Sequence, residues 1–347
     1  MKNGQATIKD IARELKISFS TVSRALKDYP GISEETKRKV KEMAIKLNYR
    51  PNAIALSLRK NRSFNIAVIV PEVVHFFFST VISGIEEIAK KRGYNVILTQ
   101  TNEKLDKEKS SIEAMLSNQI DGFLISYSKE TTEFSHFENI IDQGFPIIFF
   151  DRIPDIPNSI NVKVDDFEGA YNAVSHLISQ GYENIAHLTG PKNLKISQER
   201  ERGYREALAN HGMPIREEMI LECPMGTNEE GKRLALSMLD QLNPRPDAFF
   251  ANNDMAAVGV MMACRDSGYR IPEEIGIVGF SNWQFCTMLE PGLTSVSQPG
   301  IQMGKKATEL LLDIIEKKVE LDTIPNSITL NTELFIRKSS MRLHKKS

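Results

Sequence analysis

From residue 65 to residue 280 of the 347-residue chain, short apolar runs alternate with amphipathic segments of helical period. Apolar runs that are each followed by a helix are typical of parallel strands with both faces covered. They outnumber the strands of one compact sheet, so the pattern predicts an α/β core of two doubly wound parallel-sheet lobes. The predicted strands are 65–70, 94–98, 122–125, 147–150, 185–188, 248–251 and 275–280, and the predicted helices are 81–92, 108–118, 169–181, 200–211, 231–239 and 256–267.

The first 62 residues follow a different pattern, with three short helical segments and no strand. Thr7 and Asp10 have the spacing of a capping box, which predicts a helix from residue 8 onwards. Ser18 and Ser33 stand at N-cap positions before two further helical segments. Two short helices joined by a tight turn, followed by a third helix, describe an all-α helix-turn-helix DNA-binding unit.

The charge of this N-terminal region supports that interpretation. It contains 15 Lys and Arg against 6 Asp and Glu, a net charge of +9, although the whole chain has a net charge of −1. A basic head on an acidic body indicates a polyanionic partner. The outer side of the second helix adds small hydroxyls that can approach phosphates and base edges, namely Ser18, Ser20, Thr21 and Ser23. A purely structural three-helix bundle remains the alternative here, because short periodic segments do not exclude it.

Several classes of protein are disfavoured by what the sequence lacks. The N-terminus is charged throughout, and the longest apolar runs are too short to span a bilayer, so we expect a cytoplasmic protein without a membrane partner. Cys223, Cys264 and Cys286 have neither CxxC spacing nor neighbouring histidines, which predicts reduced thiols and no metal site. Because no phosphate-binding loop, GxSxG or HExxH motif occurs, we expect neither an enzyme nor a bound cofactor.

Three N-terminal motifs resemble those of a known family in order and spacing. TIKDIA at 7–12, STVSRAL at 20–26 and LNYRPNA at 47–53 are similar to the lactose-repressor (LacI/GalR) family of bacterial transcriptional regulators. The resemblance continues to about residue 338. It implies a helix-turn-helix domain over 1–50, a hinge helix and linker over 51–62, a periplasmic-binding-protein-like effector and dimerisation core over 63–338, and a basic tail over 339–347. Within the core, residues near 290–325 are implied to return to the N-terminal lobe.

The resemblance also assigns DNA contacts. Phe19, Ser20 and Arg24 occupy positions that contact operator bases in the major groove, although Phe19 has the alternative of packing on its own domain. Phosphate contacts are implied for Ser18, Thr21 and Ser23, and Thr7 is also implied to contact DNA.

The implied hinge helix contributes Asn52, Ala55 and Leu58 to the DNA contacts. Leu58 from each of two subunits is implied to wedge into a minor-groove step and kink the duplex. The alternative for this segment is an apolar linker that packs on the core.

Ligands of doubly wound folds bind at the carboxyl ends of the strands. Four predicted loops there carry aromatic, amide and charged side chains, at 76–78, 151–152, 252–254 and 281–283. Such a mixture suits a sugar or a similarly polar small molecule. Core packing of the three phenylalanines at 76–78 and an N-cap role for Asp254 are the alternatives in two of these loops.

The resemblance narrows this set. The implied effector-binding residues are Phe77, Phe78, Asp151, Arg200 and Asn253, together with Ser281, which stands where many members have an aspartate. Leu194 and Ile196 lie near positions at which the purine repressor has polar contacts, so we expect a saccharide or sugar derivative as effector.

Together these observations predict a ligand-responsive repressor that binds a pseudo-palindromic operator as a homodimer. The small molecule between the core lobes would control operator affinity. No leucine heptads follow the core, so we expect a dimer rather than a tetramer. The alternative is a sugar-binding protein of the transport type without a regulatory role.

Overall fold

The computed structural model describes residues 6–49, 62–320 and 323–342. The chain divides into two compact units, Met1–Phe64 and Asn65–Ser347. The predicted hinge contacts Asn52, Ala55 and Leu58 lie outside the described residues, as do residues 343–347 of the predicted tail.

The described part of the first unit contains three helices, α1 (Ile8–Leu15), α2 (Phe19–Ala25) and α3 (Glu34–Lys46). The Asp10 carboxylate accepts hydrogen bonds from the Thr7 backbone N–H at 2.9 Å and the Thr7 hydroxyl at 2.7 Å. Ser18 and Ser33 each accept a hydrogen bond from the backbone N–H three residues further on, at 3.1 and 3.3 Å. The predicted caps are therefore confirmed. The helices enclose a small core whose buried side chains are Ile11, Ala12, Val22, Ala25 and Val40.

The second unit contains two lobes, each built on a six-stranded sheet. The strands of the first lobe are β1 (Asn65–Val70), β2 (Asn95–Gln100), β3 (Phe123–Ile125), β4 (Ile147–Phe150), β5 (Ile160–Val164) and β11 (Ser327–Leu330). They pair in the order β11-β5-β4-β3-β1-β2, and every pair is parallel. The helices of this lobe are α4 (Phe76–Arg92), α5 (Leu105–Ser117), α6 (Ser135–Asp142) and α11 (Gly300–Ile315).

The second lobe repeats this architecture. Its strands are β6 (Ile185–Thr189), β7 (Ile220–Glu222), β8 (Ala248–Ala251), β9 (Gly276–Ser281), β10 (Thr294–Ser297) and β12 (Glu333–Phe335). They pair in the order β12-β10-β9-β8-β6-β7, in which β12 alone is antiparallel to its neighbour. Its helices are α7 (Asp166–Ser179), α8 (Lys195–Asn210), α9 (Asn228–Gln241) and α10 (Asp254–Asp266), with 3₁₀ turns at Glu217–Met219 and Gln284–Thr287.

Two helices of the first lobe, α4 and α11, pack unusually close together. α11 packs against α4, and glycines allow the two backbones to touch. A Cβ atom at Gly84 would lie 2.2 Å from the Ile301 carbonyl oxygen, and one at Gly304 would lie 2.1 Å from the Val81 carbonyl oxygen. Any larger side chain at these two positions would force the helices apart.

The predicted two-lobed, doubly wound core is confirmed, whereas several element boundaries differ. α4 begins at residue 76 rather than 81, and α8 begins at residue 195 rather than 200. The first turns of both helices line the space between the lobes, so their side chains lack the apolar period that a helix packed on a sheet shows. The short strands β5, β7, β10, β11 and β12 and the helices α6 and α11 were not predicted.

The C-terminal segment also differs from the expectation. Residues near 290–325 were expected to return to the first lobe. Within this stretch, β10 still belongs to the second sheet, and the chain returns to the first lobe only with α11. The predicted tail boundary at residue 339 is too early, because Ser339 and Ser340 are fully buried. The Ser339 hydroxyl donates to the Ile277 carbonyl at 2.6 Å and accepts from the Thr294 backbone N–H at 2.8 Å, which attaches this segment to the second sheet.

Candidate functional site

The second helix of the N-terminal unit presents a cluster of hydroxyls. Ser18 Oγ lies 2.7 Å from Ser20 Oγ and 2.8 Å from Thr21 Oγ1. Phe19 beside them is 66% exposed, so it does not pack in the core of its own domain. Ser23 is half-buried on the same helix, whereas Thr7 is exposed and its hydroxyl is engaged by Asp10.

Arg24 projects from the last turn of the same helix. Its guanidinium lies 5.6 Å from the centroid of the Tyr29 ring, and within residues 6–49 no carboxylate pairs with it. Lys39 on α3 differs, because it pairs with Glu35 at 2.7 Å. Arg24 therefore keeps donors available for an external acceptor, as a base contact requires.

In the second unit, a cavity of about 290 Å³ lies between the two lobes. Its size is at the lower end of the ~300–1,000 Å³ that small-molecule sites usually have. All six effector residues predicted from the sequence line it, namely Phe77, Phe78, Asp151, Arg200, Asn253 and Ser281. They come from both lobes, and five of them follow or end strands whose carboxyl ends meet at this cavity, as doubly wound folds require.

On the side of the first lobe, Asp151 and Arg152 follow β4 directly. Both Arg152 Nη atoms donate to Glu103 at 2.7 Å, and Nη1 also donates to the Tyr127 carbonyl at 2.8 Å. Asp151 is buried with a φ of 63°, and its carboxylate has no hydrogen-bond partner in the described part of the chain. Burial raises the pKa of Asp151 to about 7, against the opposing effect of the Arg152 guanidinium.

On the side of the second lobe, Arg200 is enclosed by its partners. Its Nε and Nη2 lie 2.8 and 2.7 Å from Asp166 Oδ1, and its Nη1 donates to the Asn252 carbonyl at 2.7 Å. The guanidinium stacks 3.7 Å from the Phe280 ring centroid. Burial raises the pKa of Asp166, and the positive charge of Arg200 opposes that shift.

The alternative role for Asp254 as an N-cap is wrong. Asn253 caps α10, because its Oδ1 accepts a hydrogen bond from the Ala256 backbone N–H at 2.8 Å. Asp254 is the first helical residue, and its carboxylate accepts from the Trp283 backbone N–H at 2.8 Å and the Ser295 hydroxyl at 2.5 Å. Asp254 therefore joins elements of the second lobe, whereas the amide nitrogen of Asn253 remains available to a ligand.

The expectation that residues 76–78 lie on a loop is also wrong, since they form the first turn of α4. Phe77 and Phe78 are both buried against the cavity, with ring centroids 5.4 Å apart. Phe76 is outside the residues that line this cavity, and its ring lies 6.3 Å from that of Trp283. Ser281 ends β9, and its hydroxyl donates to Gln298 Oε1 at 2.8 Å.

Several lining residues were not predicted. They include Glu72, His75, Glu103, Lys129, Ser197, Gln298 and residues 223–229. Glu103 follows the end of β2, so the carboxyl-end rule applied to that strand would have found it. Ser197 and Gln298 gave no local signal, because a polar residue at a helix start or after a short strand is ordinary.

Five buried side-chain atoms on the residues that line this cavity have no hydrogen-bond partner in the described part of the chain. They are His75 Nδ1, Arg152 Nε, Ser197 Oγ, Asn252 Oδ1 and Trp283 Nε1. Buried polar atoms in native proteins are almost always paired, so such a concentration indicates a ligand or water with several polar groups. The set mixes donors with acceptors, which a polyhydroxylated molecule can satisfy.

Comparison with family models decides the classification. Residues 63–337 match the model described as periplasmic binding proteins and sugar binding domain of LacI family, and residues 7–52 match bacterial regulatory proteins, lacI family. The chain belongs to the LacI family. It is thus a ligand-responsive, DNA-binding transcriptional regulator and not a solute-binding protein of the transport type.

Relatives of this LacI-family protein align with it over nearly their whole length. Catabolite control protein A of Priestia megaterium is 33% identical over 323 residues, which cover 93% of this chain and 95% of that protein. The HTH-type transcriptional repressor PurR of Vibrio cholerae is 34% identical over 316 residues, which cover 90% of this chain and 92% of that protein. Both relatives are named as regulators.

Solved structures agree with the fold. The transcriptional regulator CelR in complex with cellobiose superposes with a TM-score of 0.72 at 27% identity, covering 96% of this chain and all of that one. A lac repressor dimer bound to operator and the anti-inducer ONPF has a TM-score of 0.86 at 23% identity, over 97% of this chain and all of that one. None of the described helices is long and apolar enough to cross a membrane.

Proposed function

We propose that this LacI-family protein is a repressor that binds a pseudo-palindromic operator as a homodimer, with its operator affinity controlled by a saccharide in the cavity between the lobes. The observation that carries the effector assignment is the group of five buried, unpartnered polar atoms around that cavity. The similarity to CelR, whose structure contains cellobiose, supports a saccharide as the ligand class.

In the operator complex, Phe19, Ser20 and Arg24 would contact base edges. The exposure of Phe19 and the lack of a carboxylate partner for Arg24 within residues 6–49 support this role. The proposed phosphate contacts are Ser18, Thr21 and Ser23, and Thr7 is also proposed to contact DNA. The proposed minor-groove contacts are the hinge residues Asn52, Ala55 and Leu58. Two such units on one dimer would occupy two half-sites, which accounts for a two-fold symmetric operator.

In the effector complex, Phe77 and Phe78 would form an apolar wall against the ring faces of the sugar. Asp151 and the amide nitrogen of Asn253 would hydrogen-bond to its hydroxyls. Arg200 and Ser281 complete the proposed set, each oriented by the partners described above. This combination of an aromatic wall with a few directed polar groups is the usual composition of a small-molecule site.

Effector and operator binding would be coupled through the arrangement of the two lobes. Contacts already bridge them, since the Lys129 ammonium donates to the Pro224 carbonyl at 3.3 Å and Asn193 Nδ2 donates to the Lys129 carbonyl at 2.7 Å. A ligand that prefers one lobe arrangement changes its population, and a coupling of ~1–3 kcal/mol alters operator affinity ~5–150-fold. The protein would act without catalysis, in the bacterial cytoplasm where its operator lies.

The test is selection of bound duplexes from a random DNA library, followed by affinity measurements at several salt concentrations with and without sugars. We expect a two-fold symmetric site whose affinity changes when the effector is added. Leu58→Ala should reduce both the bending of the selected duplex and the affinity for it. Weak, strongly salt-dependent binding without an enriched site would contradict the assignment.

A further inference from the structure

The two arginines that line the cavity are already paired with carboxylates. Arg152 makes a bidentate pair with Glu103, both at 2.7 Å. Arg200 pairs with Asp166 at 2.7 and 2.8 Å. Burial, together with the two arginines, lowers the pKa of His75 to about 4, so this ring adds no charge near neutral pH.

Among the other charged groups that line the cavity, carboxyl groups outnumber cations. Apart from the two arginines, Lys129 is the only lysine or arginine among the described residues that line the cavity, and its ammonium contacts the Pro224 carbonyl. Four carboxyl groups also line it, on Glu72, Glu103, Asp151 and Glu229. Phosphate and carboxylate ligands are bound by cations whose donors are not yet shared with a protein carboxylate. In this cavity both arginines already share guanidinium donors with carboxylates, and among the described lining residues only Lys129 is a cation without a carboxylate partner.

Two acceptors of the cavity without partners among the described residues can take hydrogen bonds from the hydroxyls of a ligand. Asn252 Oδ1 is buried without a partner, and the Asp151 carboxylate has none in the described part of the chain. The hydroxyls of a sugar donate to such acceptors, whereas a phosphate dianion brings only further acceptors. In a site shielded from water, an anion facing these oxygens would be strongly disfavoured.

The backbone conformation and the hydrogen bonds of Glu103 fix its carboxylate beside Arg152. Asn102 and Glu103 have φ values of 52° and 61°, two successive left-handed residues at the end of β2. Such a turn persists only where its surroundings enforce it. Glu103 accepts from Arg152 twice and from the Lys129 backbone N–H at 2.7 Å. Although burial alone would raise the pKa of Glu103, these partners hold it below its usual value, and the group stays charged.

We propose that the cavity selects an uncharged polyhydroxylated effector, and that Glu103 is the specificity-determining residue that excludes phosphorylated and carboxylated sugars by neutralising Arg152. This inference rests on the proposed function, since it assumes that a saccharide binds between the lobes. It adds the charge class of that saccharide and a residue responsible for the choice.

The test measures binding of matched neutral and anionic compounds to the full-length protein by thermal shift and calorimetry. The neutral set contains pentoses, hexoses, disaccharides and polyols, and the anionic set contains their phosphate esters, aldonic acids and uronic acids. We expect a neutral sugar to bind the wild type roughly 100-fold or more tightly than its anionic counterpart, because unfavourable charge contacts cost several kcal/mol. Glu103→Gln should reduce that ratio at least about tenfold by leaving Arg152 without its carboxylate.

The matched control is Asp155→Asn, which removes a carboxylate that is 91% exposed and 3.4 Å from Lys195. It should leave the ratio unchanged. If Glu103→Gln does not fold, Asp166→Asn applies the same test to Arg200, and the selectivity of the wild type stands as an independent test.

Tighter binding of an anionic compound than of its neutral counterpart by the wild type would overturn the inference. So would an unchanged ratio in both variants. If no compound of either charge class binds while operator binding is retained, the saccharide assignment itself fails, which differs from a wrong charge class.

Discussion

The proposed DNA contacts and the proposed effector contacts are held in opposite ways. On α2, Phe19 is 66% exposed and Arg24 has no carboxylate partner within residues 6–49. In the cavity, Arg200 is 4% exposed and is paired with Asp166. Exposed side chains can be exchanged with little effect on the fold, whereas buried paired groups contribute to it. We therefore expect an arginine to serve recognition alone in the first unit, and both recognition and stability in the second.

The largest effect is expected where recognition and stability coincide. Arg200→Ala leaves the Asp166 carboxylate buried without its partner, which should destabilise the core by roughly 3–5 kcal/mol and abolish the effector response. Denaturant unfolding of the full-length protein measures the first effect, and ligand-dependent operator release measures the second.

The control for this change is Arg202→Ala on the same helix. Arg202 is 58% exposed, pairs with Glu199 and lies 3.9 Å from the centroid of the Phe167 ring, so its loss should cost roughly 1 kcal/mol, well below the loss expected for Arg200. Equal destabilisation by the two substitutions would break the contrast between buried and exposed arginines.

The next effect depends on pH. The pKa of Asp151 is raised from 3.8 to about 7, so its contribution to stability is fully present below pH 4 and is lost as the pH rises through 7. Asp151→Asn removes this titration and suits the positive φ. It should stabilise the ligand-free protein by roughly 1–4 kcal/mol more at pH 8 than at pH 5.

Urea midpoints of the wild type and the variant at the two pH values provide the measurement. If wild type and variant differ by the same amount at both pH values, Asp151 titrates in its ordinary range and the cavity does not bury its carboxylate.

For the exposed side of the comparison, Arg24→Ala should weaken binding to the selected operator by about 1–3 kcal/mol and relax base preference. The free energy of unfolding should change by less than about 0.5 kcal/mol. The control is Arg38→Ala on α3, which removes the same charge from a side chain that is 71% exposed. Equal losses on selected and random duplexes would contradict a base contact.

The smallest effect separates capping from recognition. Ser18→Ala and Ser33→Ala each remove an N-cap hydrogen bond, so each should lower the unfolding free energy by about 1 kcal/mol. Only Ser18→Ala should also weaken operator binding, because only Ser18 belongs to the hydroxyl cluster of α2. Identical operator affinities of the two variants would assign Ser18 to capping alone.

Much of the site could be predicted because strand ends are local features. Phe77, Phe78, Asp151, Asn253 and Ser281 were predicted from the segments that follow apolar runs, and Arg200 from the family resemblance alone. What escaped prediction was the pairing that defines their chemistry. Arg152 meets Glu103 from 49 positions away, and Arg200 meets Asp166 from 34 positions away. No periodicity or spacing specifies such partners, since they depend on how strands are ordered in a sheet.

The sequence by itself determined the helix-turn-helix pattern, its caps and the α/β alternation, because these depend on interactions between residues a few positions apart. Only the tertiary structure decided that α4 and α8 open with a turn facing the cavity and that Ser339 and Ser340 belong to the second sheet. It also decided that each cavity arginine is neutralised by a carboxylate. The physical reason is that charged groups become buried and paired where segments distant in sequence come into contact. Patterns among neighbouring residues do not specify such contacts.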